Sequence, residues 1–147
     1  MNALRISTDP AELDVGMIHR FLSNESYWAA GMSRPVLERA LKHSLCFGGY
    51  LDSAQVAFAR VVTDRATFAH LKDVFVLAPH RGRGFGTTLM QAVMTHSDLR
   101  AVTFTLATDD AHALYEKFRF LRYPQRYPQP ERLMVRYGSF LDAVDRA

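Results

Sequence analysis

The chain is short of cysteine, of unbalanced charge and of long apolar runs, and each shortage narrows what it can be. Its 147 residues include one cysteine, Cys46. A lone thiol cannot form an internal disulfide, so nothing points to a secreted, stapled fold, and a reducing cytoplasm is the expected compartment. No apolar stretch approaches the ~20 residues of a membrane helix. Met1 to Asp14 lacks the basic start and apolar run of a signal peptide, so neither a membrane nor an export route is expected. Lys and Arg number 18 against 15 Asp and Glu, a net charge of only +3, and no block of five or six like charges occurs. Scattered positive charge argues against a nucleic-acid partner. The six histidines, at 19, 43, 70, 80, 96 and 112, never fall at H-x-x-x-H spacing. No metal site is expected from them.

What the chain has is apolar mass: 48% hydrophobic residues, with ten Phe and six Tyr. That content and length suit one hydrophobic core, and no repeat or linker-like tract divides it. A single domain over residues 1–147 is expected.

The pattern alternates strands and helices. Strands are expected at Leu4–Ser7, Leu45–Leu51, Gln55–Val62, Thr67–Leu77 and Ala101–Leu106. Two more are expected at Phe120–Tyr123 and Leu133–Tyr137, around a proline-containing loop. Helices are expected at Ala11–Leu22, from Ser33 to Lys42, from the glycine turn to Ser97 and from Thr108 to Phe118, with a terminal one over Ser139–Ala147. Val74, Phe75, Val76 and Leu77 are apolar at successive positions, as in a central strand covered on both faces.

Pro79 ends that strand, and Arg81-Gly82-Arg83-Gly84-Phe85-Gly86 follows, leading into a helix. Glycines let backbone N–H groups turn inward, and a helix N-terminus adds positive potential, so the segment can cradle a phosphate or pyrophosphate. It is neither a P-loop, which needs a glycine-lysine pair, nor the G-x-G-x-x-G dinucleotide fingerprint. A solvated turn accounts for the glycines alone equally well.

Together with the strand before it, this turn resembles the R/Q-x-x-G-x-G/A acyl-CoA signature of the GNAT superfamily of N-acyltransferases. Downstream, Ala111 to Phe120 is similar to that family's A-x-x-L-Y-E-K-x-G-F segment. Thr108 stands where many members have a CoA-binding Asn, and Arg119 where they have Gly.

The resemblance implies an α/β fold with a mixed, twisted sheet of six to seven strands and about four helices. It implies acetyl-CoA as cosubstrate, with no metal, and direct transfer to a primary amine of a small molecule or peptide. The cofactor grip would comprise Val74, Phe75 and Val76 on the strand, Arg81, Gly82, Arg83, Gly84, Phe85, Gly86 and Thr87 on the turn and helix start, and Thr108 and Tyr115. Tyr115 would stand near the CoA sulfur. A phenol of pKa ~10 giving its proton outright to a thiolate of pKa ~8.5 is uphill by roughly 2 kcal/mol, so a donated hydrogen bond suits it better.

Asp73 is the only carboxylate in the central strand and the candidate general base; an ion pair with Lys72, Lys42 or an arginine is its plainer role. Tyr27, Trp28 and Tyr123 lie in segments that the family arranges around its acceptor. The same residues would serve a lid or a homodimer contact equally well. A CoA-binding sensor without transfer, and nucleic-acid binding through Arg81 and Arg83, complete the alternatives.

Overall fold

A computed structural model describes residues 3–122, together with 134 and 136. Five strands are formed: β1 (Arg5–Ser7), β2 (Leu45–Leu51), β3 (Ala54–Thr63), β4 (Phe68–Val76) and β5 (Thr103–Leu106). Four α-helices accompany them: α1 (Val15–Asn24), α2 (Arg34–Lys42), α3 (Phe85–Thr95) and α4 (His112–Glu116). The sheet runs in the order β1-β2-β3-β4-β5, antiparallel except for the parallel β4–β5 pair that α3 connects.

Among the described residues this is an α/β fold with one mixed sheet and four α-helices. Six to seven strands are not matched among the described residues. Phe120 to Arg122 is described and forms no strand. The expected strand over Leu133–Tyr137 and helix over Ser139–Ala147 lie outside the described residues, apart from two isolated positions.

One helix boundary departs from expectation for a clear reason. Asp9 caps only a turn of 3-10 helix at Pro10–Glu12, and Asp14 starts α1 by accepting a hydrogen bond from the Met17 N–H at 3.0 Å. Two capping aspartates stand five residues apart, and the second begins the apolar run Met17, Ile18, Phe21, Leu22 that gives α1 its buried face.

Two apolar clusters cover the two faces of the sheet. Phe85, Leu89, Met90 and Val93 of α3 pack on Phe47, Ala59, Val61, Ala69 and Leu71. Met17, Ile18, Phe21 and Leu22 of α1 and Leu37 of α2 pack on Cys46, Phe58 and Phe75.

β4 contributes to both clusters because its alternation is reset partway. The β3–β4 register runs Phe58↔Phe75, then Arg60↔Lys72, so Ala59 faces two residues, Asp73 and Val74. Such a bulge turns every later side chain to the other face. Ala69 and Leu71 therefore point under α3, whereas Asp73 and Phe75 point toward α1 and α2. Asp73 takes the positive φ, 56°, that the kink requires.

Candidate active site

The site begins where β4 and β5 part. They pair from Phe68↔Thr103 to Leu71↔Leu106, and beyond this β4 continues to Val76 along β3 alone. Leu77 donates its N–H to the Val56 carbonyl on the β3 side at 2.9 Å. Strand alternation then turns the peptide groups of Val76 to the side that β5 has left. The Val76 carbonyl there accepts from Arg81 Nε at 2.9 Å, which ties the glycine turn to the end of the strand. A cavity of about 420 Å³ opens at the parting, bounded by Val74, Asp73 and His70 of β4, Thr108, Trp28 and Tyr115 among others.

The glycine turn leaves its polar groups open. Gly82 and Gly84 adopt φ of 77° and 81°, and a Cβ on either would meet nothing within 4 Å. Glycine is needed there for backbone conformation, and the space beside each is clear for a ligand. Gly84 is the N-cap of α3 and supplies no side-chain cap; the first helical bond runs from the Thr88 N–H to the Gly84 carbonyl. The N–H groups of Phe85, Gly86 and Thr87 are thus the uncapped donors of an eleven-residue helix. Gly86 has ordinary φ, and a Cβ there would only touch Leu114 Cδ2 at 3.8 Å. Phe85 itself turns its ring into the core, with the Arg83 guanidinium 4.8 Å above it.

Tyr115 is buried beside Phe120 and lines the cavity from α4. Burial, with smaller contributions from Tyr27 and Asp110, pushes its phenol up to about 12. Proton transfer from it to a thiolate of pKa ~8.5 would cost on the order of 5 kcal/mol, so this hydroxyl is suited to donating a hydrogen bond. Thr108 Oγ1 accepts from the Ala111 N–H at 3.0 Å in the turn before α4, which begins only at His112, four residues later than expected, with Ala111 as N-cap and no side-chain cap. Arg119 adopts φ of 68°, and Phe120 N–H reaches back to the Tyr115 carbonyl at 3.3 Å. The left-handed end that glycine commonly makes is made here with arginine.

The opposite wall is built of side chains. Asp73 is 4% exposed, its Oδ2 accepts from Arg60 Nε at 2.7 Å and its Oδ1 from Trp28 Nε1 at 2.9 Å. Arg60 Nη1 also donates to Ser44 Oγ at 3.1 Å. Phe21 stacks on Phe75 with ring centroids 3.9 Å apart, and Tyr27 meets Trp28 edge-on at 5.0 Å. The Tyr27 hydroxyl accepts from the Asp109 N–H at 3.1 Å, joining the α1–α2 loop to the segment after β5. Tyr123 lies outside the described residues.

The sequence model of the Acetyltransferase (GNAT) family matches residues 5–120. The chain belongs to the GNAT acetyltransferase family. A crystal structure from Xanthomonas campestris, described as an acetyltransferase of that family, is 50% identical and superimposes with a TM-score of 0.89, covering 96% of this chain and 97% of the other. A Gibberella zeae protein bearing an acetyltransferase name is 35% identical over 130 residues, covering 73% of each chain. Glucosamine-6-phosphate N-acetyltransferase from Arabidopsis thaliana, 13% identical with a TM-score of 0.63 over 92% of this chain and 98% of that one, shares the fold.

For a GNAT acetyltransferase, two features of this site escape a reading of the sequence. Arg60 interrupts the apolar run Val56–Val62, and a charge there signals a buried partner, which is Asp73. His70 lines the cavity with Nδ1 2.7 Å from Thr105 Oγ1, and burial together with the charges of Lys72 and Arg60 lowers its pKa. Its place in a central strand, three residues before the only carboxylate, was the available signal. Among the described residues no group of three or more His, Cys, Asp or Glu could hold a metal ion, and no helix is long and apolar enough to cross a membrane.

Proposed function

We propose that the chain transfers an acetyl group from acetyl-CoA to a primary amine by direct attack within a ternary complex. The observation that carries this is the parting of β4 from β5, which opens a cavity lined by β4, the α1–α2 loop, the segment after β5 and α4. GNAT enzymes in general use acetyl-CoA, and the residues present fit it. Open space where a Cβ would stand on Gly82 and Gly84, with the uncapped N–H groups of α3, suits a pyrophosphate, and Arg81 and Arg83 add positive charge. The edge of β4 that β5 has left, over Val74, Phe75 and Val76, suits an amide-bearing arm, and although the Val76 carbonyl is taken by Arg81 Nε, a strand N–H there suits a developing oxyanion. When bound, the thioester supplies the activated acetyl group.

The remaining chemistry falls to side chains of this chain. Tyr115 donates a hydrogen bond toward the departing sulfur. Asp73, with both oxygens engaged, holds the bulge and Trp28 in place and so positions the acceptor wall. Tyr27 and Trp28 give that wall its aromatic surface. Cys46, the chain's single thiol, is buried and pushed up to about 11, in keeping with a transfer that uses no enzyme nucleophile.

Acetyl-CoA at about 100 times its dissociation constant should stabilise the protein by about 2.7 kcal/mol, visible as a rise in melting temperature. A panel of amines should then release free thiol. Stabilisation without thiol release would make the chain a CoA-binding protein, and the absence of both would overturn the proposal.

A further inference from the structure

His70 lines the cavity without a task in the chemistry described so far. Ala69 and Leu71 on either side of it point under α3, so alternation turns His70 to the face that carries Trp28 and Asp73. Its cross-strand partner is Thr105, at the last stretch of β4–β5 pairing before the strands part. The 2.7 Å contact between Nδ1 and Thr105 Oγ1 fixes the ring, and Nε2 is the nitrogen left to meet a ligand. The other candidate proton acceptors are less suited. Asp73 has both oxygens engaged, and Asp109 and Asp110 are exposed on the segment after β5.

We infer that His70 Nε2 is the general base of the reaction, taking a proton from the acceptor's ammonium so that the neutral amine can attack; this rests on the acetyl-transfer proposal above. The ammonium gives one proton to Nε2, its nitrogen forms the bond to the acetyl carbon, and the carbon–sulfur bond breaks. The second proton lost from nitrogen ends on the departing sulfur, which Tyr115 meets with its hydrogen bond. His70 returns its proton to solvent, so the balance is one amide, one thiol and one proton. Thr105 acts by holding the tautomer: Nε2 can accept only if Nδ1 carries the hydrogen and donates to Oγ1.

The described groups around His70 are Lys72 on its own strand, Arg60 on β3, and Asp73, Tyr27, Tyr115, Asp109 and Asp110 about the cavity. Lys72 and Arg60 add to burial in disfavouring the charged ring, so the imidazole is neutral and able to accept at neutral pH.

The test follows thiol release from acetyl-CoA with two probe amines, phenethylamine and 1,4-diaminobutane, over about pH 5 to 9, beside imidazole NMR of the unmutated protein. Wild type should lose kcat/KM on the acid side with an apparent pKa below ~6.5. His70→Gln should lower kcat by roughly 100-fold or more, abolish that acid limb and leave acetyl-CoA affinity unchanged. NMR should show the Nδ1–H tautomer, and Thr105→Val should mix the tautomers and lower kcat less than His70→Gln does. Thiol release by wild type without an acid limb, a His70→Gln enzyme that keeps limb and rate, or an Nε2–H tautomer would each overturn the role of His70 alone. The NMR readout holds even if a variant misfolds. No thiol release by wild type with either amine would remove acetyl transfer itself, and the role with it.

Discussion

The glycine turn at the end of β4 and the aromatic wall of the cavity are made from different materials. On the turn, the groups offered to a ligand are backbone N–H donors, set by the left-handed Gly82 and Gly84 and by a helix start with no side-chain cap. On the wall they are side chains held by partners far along the chain: Trp28 to Asp73 across 45 residues, Arg60 to Asp73 across 13, His70 to Thr105 across 35. A backbone site tolerates changes in the side chains around it but depends on conformation. A side-chain site depends on every partner, because each buried polar group left alone carries a desolvation cost.

The sharpest way to separate the two is Asp73→Asn. Asparagine accepts the positive φ but leaves Arg60 buried and unpaired, so stability should fall by roughly 3 to 5 kcal/mol in calorimetry, the cost typical of breaking a buried ion pair. Acetyl-CoA affinity of the protein that remains folded should hold. A matching loss of affinity would show that the two walls are coupled.

Tyr115→Phe comes next, with about a tenfold fall in maximal rate at unchanged acetyl-CoA affinity, read from initial rates and melting shifts. The same phenol sets an alkaline limit. Its folded pKa of about 12 lies above the ordinary 10, so the folded protein keeps a proton that the unfolded chain gives up. Its contribution to stability is whole below pH 10 and is lost as pH climbs toward 12; a Tm insensitive to pH in that window would contradict it.

Smaller effects concern the backbone side. Gly84→Ala meets no neighbour, so its cost is conformational, about 1 kcal/mol of stability, with weakened acetyl-CoA binding. Arg119→Gly should do the reverse at the end of α4 and stabilise by up to about 1 kcal/mol in denaturant unfolding, since a left-handed residue is relieved of its Cβ.

The contrast also explains what was legible. The turn could be read from Arg81 to Gly86 because a backbone cradle requires glycine at fixed spacing, and β2 was legible to the residue because its apolar run is bounded by turn residues. Tyr115 came from its motif. The Asp73–Arg60–Trp28 arrangement was not legible as a unit, since three residues of ordinary type become partners only after β3, β4 and the α1–α2 loop are assembled. The bulge was hidden too. Asp73 and Phe75 were expected on one side, as they are, but strict alternation would have kept Ala69 and Leu71 with them, and nothing in the residue types announces the extra residue that sends those two to the other face.

That extra residue works as a phase change in the strand. Were β4 to run on in strict alternation from Leu71, it would deliver its carboxylate into the α3 core, where no arginine waits, and bring a valine beneath α1 in place of Phe75. A chain without Asp73 would keep the turn, the helix and both motifs intact in its sequence and still set Phe75 opposite Phe58, yet it would lose the kink and the carboxylate that Arg60 and Trp28 share. Alignment by motif alone would miss the difference.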